Sequence, residues 1–237
     1  AGSAPGSREA MPTGECRRTV LNVRPGVVLA FDSEGLAVRA KHADCLIELV
    51  PQVGDFVAQG DPLFRLYGGD VDDRELQQAI AIGPERTMEQ DPAFAFRIIV
   101  DIAAKALSPA INDPTTAVLA LDQLHHLLRT VGQRNLASGQ VRDETGRLRV
   151  AYRTPDWDDL VSLAVTEIRH YGKDSIQVAR RLRAMLESLI PVVSQERAVR
   201  LREELDLLHR TVERNFLDGE DRARAARPDS MGMGGSV

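Results

Sequence analysis

Arg97, Asp101 and Lys105 recur every four residues in a stretch with helical periodicity, which puts two cations and a carboxylate on one helix face. Glu85 and Arg86 precede that stretch. Asn112, Asp113, Thr115 and Thr116 follow it beyond a break at Ser108-Pro109. These residue types suit the capture of a small anion. Arg86, Arg97 and Lys105 supply positive charge, Asp101 a base or orienting group, and the helix start capped by Asp113 offers backbone N–H groups. Arg86, Arg97, Asp101, Lys105, Asn112, Asp113 and Thr115 therefore form the candidate ligand-binding set. The same spacing also describes an internal salt-bridge and capping network that fixes a two-helix turn, since ion-pair networks imitate sites in a sequence.

Other chemistry finds less support. Asp122, His125 and His126 have metal-ligand residue types, and Asp122 and His126 share a face. There is no HExxH pattern and no CxxC pair, so a polar helix edge is the expectation and no metal site is assigned. Ser108 lies outside any GxSxG elbow. Neither GxGxxG nor GxxxxGK[ST] occurs, so no cofactor and no catalytic residue is named, and the chain leans towards a non-enzymatic role.

The bulk properties narrow the partners. The chain has 237 residues, 43% of them hydrophobic but only 4% aromatic, so its core must be mainly aliphatic. The formal net charge is -5, and the clearest basic run, Arg222 to Arg227, adjoins Glu220 and Asp221. Phosphate-backbone binding needs a concentrated basic face, so nucleic acid is not expected as a partner. Cys16 and Cys45 form no recognisable disulfide framework. No apolar run approaches the roughly 18 residues of a membrane-spanning helix.

The elements that would carry the candidate set follow an α+β pattern. Residues 1–16 read as a disordered linker, 17–69 as a small β-rich module, 70–217 as a mainly helical domain with one or two short strands, and 218–237 as a disordered tail. Within the module, Val53 to Phe64 places Gly-containing turns on both sides of a short extended segment. That turn-strand-turn pattern resembles one half of a biotinyl/lipoyl hammerhead. Lys41 is the module's lone lysine and falls within a helical stretch, so a carrier role is not expected. Residues 92–107 read as a helix with an apolar stripe of Phe96, Ile99, Val100, Ala103 and Leu107. Asp113 then caps a helix with Pro114 at its first position. Residues 132–146 read as a loop and Gly146 to Tyr152 as a strand. Three further amphipathic helices follow, and their apolar positions suit internal packing or a homo-oligomer contact.

The string Asp101-Ile102-Ala103 through Ala106-Leu107-Ser108-Pro109 to Asn112-Asp113-Pro114 is long and compositionally unusual. With Glu85 to Phe94 before it, the Gly54-Asp55-Phe56-Val57 turn and Ile168-Arg169-His170-Tyr171-Gly172, it resembles a bacterial predicted-membrane-protein family, domain-of-unknown-function family 2254. The likeness spans roughly residues 20–215. It implies a water-soluble region following membrane helices, in a full-length protein located at the membrane, with the cytoplasmic side expected for this part. It also implies the protein's own transmembrane region as partner, with assembly, sensing or gating as the role. No activity comes with the resemblance. The rival expectation is a small-anion-binding module or enzyme using Arg97, Asp101, Lys105 and Asp113.

Overall fold

The computed structural model describes residues 14–87 and 91–232. The chain divides into two units. One holds the residues up to Phe94 together with Ala137–Thr154, and the other holds Ala95–Leu136 together with the residues from Pro155 onward. The chain thus leaves the first unit near residue 94 and returns to it for a hairpin, whereas the sequence placed the boundary at residue 69.

The first unit contains β1 (Arg18–Leu21), β2 (Gly26–Phe31), α1 (Ser33–His42), β3 (Cys45–Leu49), β4 (Phe56–Val57), β5 (Pro62–Gly68), α2 (Asp73–Gln78) and β6 (Ile80–Gly83). The returning hairpin supplies β7 (Gln140–Arg142) and β8 (Leu148–Tyr152). One sheet has the order β1-β5-β3-β8-β7 and the other β4-β2-β6. All pairings are antiparallel except β3 with β8, where Ile47 lies opposite Val150 and Leu49 opposite Tyr152. The alternation of β3 puts Ile47 and Leu49 into an aliphatic core with Val28, Leu36, Leu63, Leu66 and Val150. Glu48 points the other way, where its carboxylate accepts from the Tyr67 hydroxyl (2.6 Å) and from Arg65 (3.3 Å). Burial and that contact push the Tyr67 phenol up to about 12.

The turn-strand-turn segment is present. Gly54 and Gly60 both take positive φ on either side of β4. A Cβ on Gly54 would stand 2.4 Å from the Asp91 carboxylate, so with φ 93° the position favours glycine. Lys41 lies in α1 and pairs with Glu144 rather than standing at a hairpin tip. Residues 140–142, expected to be loop, form β7 because β8 offers them an open edge.

The second unit is built from α3 (Pro92–Ala106, whose first residues belong to the first unit), α4 (Pro114–Val131), α5 (Trp157–Tyr171), α6 (Ile176–Leu189), α7 (Gln195–Asn215) and α8 (Gly219–Ala225). Side-chain caps start these helices as the sequence requires. Asp156 and Asp159 form a reciprocal capping box on α5, and Ser175 and Ser194 cap α6 and α7. Helix α6 packs on α4, α7 and α8, and α5 packs on α7. Leu182, Met185, Leu186 and Leu189 are fully buried by this packing, as is Leu201. Each contributes roughly 1.5–3 kcal/mol by leaving water. These positions are therefore internal, whereas Val199 on α7 is 52% exposed.

The expected disordered tail is corrected for residues 218–232. Asp218 caps α8, Ala225 is buried, and Asp229 is 4% exposed with its N–H donated to the Arg180 carbonyl (3.2 Å). Gly232 packs so closely that a Cβ there would meet Val118 at 2.3 Å. A polar, Gly- and Met-containing composition disguised a segment whose order comes from contacts with α4 and α6. Residues 233–237, and most of the expected 1–16 linker, lie outside the described residues.

Candidate functional site

The helical spacing of Arg97 and Asp101 does bring them together. The Arg97 Nε donates to Asp101 Oδ1 at 2.8 Å. A residue with no local sequence signal completes the arrangement: Glu167 of α5 accepts from Arg97 Nη1 at 2.6 Å and from Nη2 at 2.8 Å, a fork-to-fork pairing. The guanidinium's protonated state is reinforced by Glu167 first and Asp101 second, and the Arg97 contact holds the Glu167 carboxyl below its ordinary range. Two carboxylates on one guanidinium give the trio a net charge of -1. Arg97 is thus engaged by both carboxylates. Lys105 is exposed and takes part in no ion pair among the described residues; its carbonyl accepts from the Ser108 hydroxyl at 2.7 Å.

The turn after α3 is closed by its own backbone. Asn112 adopts φ 48°, its N–H reaches the Ser108 carbonyl (2.9 Å), and the Asp113 N–H reaches the Ala106 carbonyl (2.8 Å). Asp113 then accepts from the Thr116 N–H (3.1 Å) and hydroxyl (2.5 Å), contacts that hold its carboxyl below the usual range. An ionised carboxylate already occupies the start of α4, where an anion would have to sit. Thr115 is exposed beside it. Arg86 belongs to the first unit, where its Nε donates to the Gly54 carbonyl (2.8 Å) and its guanidinium lies over the Phe94 ring. The candidate set is thus split: Arg86 clamps a turn, Arg97 and Asp101 form an ion cluster, and Asn112 and Asp113 shape a helix start.

The histidine cluster is resolved by a residue the sequence reading missed. Arg181 of α6 donates to Asp122 Oδ1 (2.8 Å), and its Nη2 lies 3.1 Å from His125 Nδ1. Arginine only donates, so Nδ1 must be the bare nitrogen, and Nε2 carries the hydrogen towards Ser188 Oγ at 3.2 Å. Burial first, then the Arg181 charge, pushes the His125 pKa down. With its free lone pair turned to Arg181, His125 cannot take a proton from Ser188, so the pair is not a nucleophile and base. No group of three or more metal-ligating side chains occurs among the described residues.

Residues 2–188 match the family described as predicted membrane protein (DUF2254), and the chain belongs to it. Uncharacterized proteins of Mycobacterium tuberculosis (strain H37Rv) and of Mycobacterium bovis are each 31% identical over 208 residues, which is 84% of this chain and 40% of theirs. The chain therefore spans about two fifths of the length of these curated relatives. No solved structure matches it significantly. No helix among the described residues is long and apolar enough to cross a membrane.

Proposed function

We propose that this region is a non-catalytic domain that assembles, senses or gates for a membrane-embedded part of the same protein. The observation that carries this reading is the pairing of two facts. The family is one of predicted membrane proteins, yet no described helix could cross a bilayer and the chain matches only 40% of its relatives' length. The ion-paired Arg97 and the bare-nitrogen geometry of His125 support the non-catalytic part, because both leave polar groups committed to their neighbours.

Its partners are the protein's own transmembrane region and a second copy of the domain. Ile98 and Ile102 on α3, Ile111 in the following turn and Leu119 on α4 are the exposed apolar side chains that such contacts would cover. The deciding experiment fractionates the tagged full-length gene product and adds protease from each side. Carbonate-resistant pelleting with side-specific cleavage of this region supports an appended domain and fixes its compartment. A product that stays in the supernatant overturns the reading. Light scattering of this chain tests the second copy: a strict monomer at high concentration removes it.

A further inference from the structure

We propose that a hollow between the C-terminal ends of α5 and α7 binds the phosphate group of an anionic ligand. Arg169, His170, Lys173, Thr211, Arg214 and Asn215 line this space of about 280 Å³. That is room for a phosphate group with some of its water, given about 30 Å³ per water molecule. Arg169 and His170 come from the Ile168-Arg169-His170-Tyr171-Gly172 string, which neither the ion cluster on α3 nor the histidine cluster uses.

Two of the three cations here are not cancelled as Arg97 is. Lys173 and Arg214 form no ion pair among the described residues. Neighbouring Glu213 is taken by Arg222 at 3.4 Å. The Arg169 side chain is only 14% exposed, and its Nε faces Glu204 Oε2 at 3.6 Å, while the other oxygen of that carboxylate accepts from Arg200 at 2.6 Å. That Nε and Glu204 Oε2 are both buried and stand just beyond hydrogen-bond distance of each other, and the Arg169 Nη1 has only a long contact to Thr211 Oγ1 at 3.4 Å. Donors in folded proteins are ordinarily satisfied, so the Arg169 Nη1 can still take a closer acceptor than Thr211 offers.

Cations at helix C-termini also complement the carbonyl ends of those helices, and that role accounts for Lys173 and Arg214 alone. It does not account for Arg169, a third and largely buried cation on the same hollow, whose carboxylate is shared with Arg200. Arginine's planar fork and lysine's point charge together are the usual means of holding phosphate oxygens. A phosphate ester in solution and a lipid headgroup present the same group, and the hollow distinguishes neither. The inference is independent of the proposed membrane role.

The test titrates this chain with inorganic phosphate by calorimetry, against chloride at equal ionic strength. In parallel, it is sedimented with phosphatidylcholine vesicles made with and without phosphatidic acid. Arg214→Gln and Lys173→Gln change exposed side chains that bear no packing load, and each is expected to weaken binding roughly tenfold with the thermal midpoint unchanged. Phosphate heat lost in the variants assigns a soluble phosphate ligand, and phosphatidic-acid-dependent pelleting lost in the variants assigns a lipid headgroup. Absence of both, or binding equal in wild type and variants, overturns the proposal.

Discussion

Glu204→Gln tests whether the second unit depends on a buried ion network. Glu204 is 0% exposed and lies between Arg200 (2.6 Å) and Arg169 (3.6 Å), whose side chains are 23% and 14% exposed. The amide removes the charge while keeping the volume, so packing is preserved and two largely desolvated guanidinium groups lose their shared counter-charge. Removing one partner of a buried pair costs about 3–5 kcal/mol, and Arg200 recovers part of that through Glu203 at 3.0 Å, which leaves about 2–4 kcal/mol. At a urea slope of roughly 2–3 kcal/mol/M, the midpoint falls by about 1 M. The assay is urea unfolding followed by the fluorescence of Trp157, the chain's single tryptophan, which is buried at the start of α5 and so reports on this unit alone. Glu203→Gln, at a half-exposed position, is the control and shifts stability by less than about 1 kcal/mol. A midpoint change below about 0.3 M for Glu204→Gln refutes the reasoning, because it means water already solvates the two arginines.

Three further outcomes are expected. His125 has a folded pKa below its unfolded value, so the unfolded state binds the proton first as pH falls. Stability is full above about pH 6.5 and declines below it, by at most about 1.4 kcal/mol per pH unit for one proton. His125→Gln, which can still accept from Arg181 and donate to Ser188, flattens that decline, and equal pH profiles by Trp157 fluorescence would count against the assigned tautomer. Glu167→Gln loosens a cluster whose members are 31% and 41% exposed, so solvent screening limits its effect to under about 1 kcal/mol; a loss of several kcal/mol by the same urea assay contradicts this. Truncation after Arg227 removes Asp229 and Gly232 from α4 and α6 and lowers stability by about 1–3 kcal/mol, whereas an unchanged thermal midpoint would show the ordered tail to be inconsequential.

What could be read from the sequence was local, and what could not was long-range. The Asp113 cap, with Pro114 following it, sits within a few residues of the helix it starts, and Asp32, Asp156 and Ser194 likewise mark the helices they cap. The Arg97–Asp101 contact is one turn of helix. By contrast, β8 joins β3 across about a hundred residues, and hydrophobic alternation in Leu148 to Tyr152 says only that a strand exists, not which sheet receives it. Glu167 lies 70 residues from Arg97, and Arg181 lies 56 from His125. Each changes the meaning of a motif that looked available for chemistry. The tail misled for the same reason: its order comes from Arg180, Gln177 and Val118, not from its own propensity.

The distribution of paired and unpaired charge is what separates the two polar regions of the second unit. On α3 the cation with the best geometry is surrounded by two carboxylates, so the face that looked most like a site is slightly acidic and bonded to itself. At the ends of α5 and α7 the order is reversed: three cations line one hollow, and the nearest carboxylate is shared with a fourth. In a chain of formal net charge -5, such a local excess runs against the molecule's overall field. Long-range attraction therefore contributes little to drawing an anion in, and binding has to rest on short contacts inside the hollow. That predicts a salt dependence set by two or three side chains rather than by the whole surface. Phosphate affinity measured at several chloride concentrations should become shallower in its salt slope when Lys173 is replaced by glutamine. An unchanged slope would place the binding elsewhere on the protein.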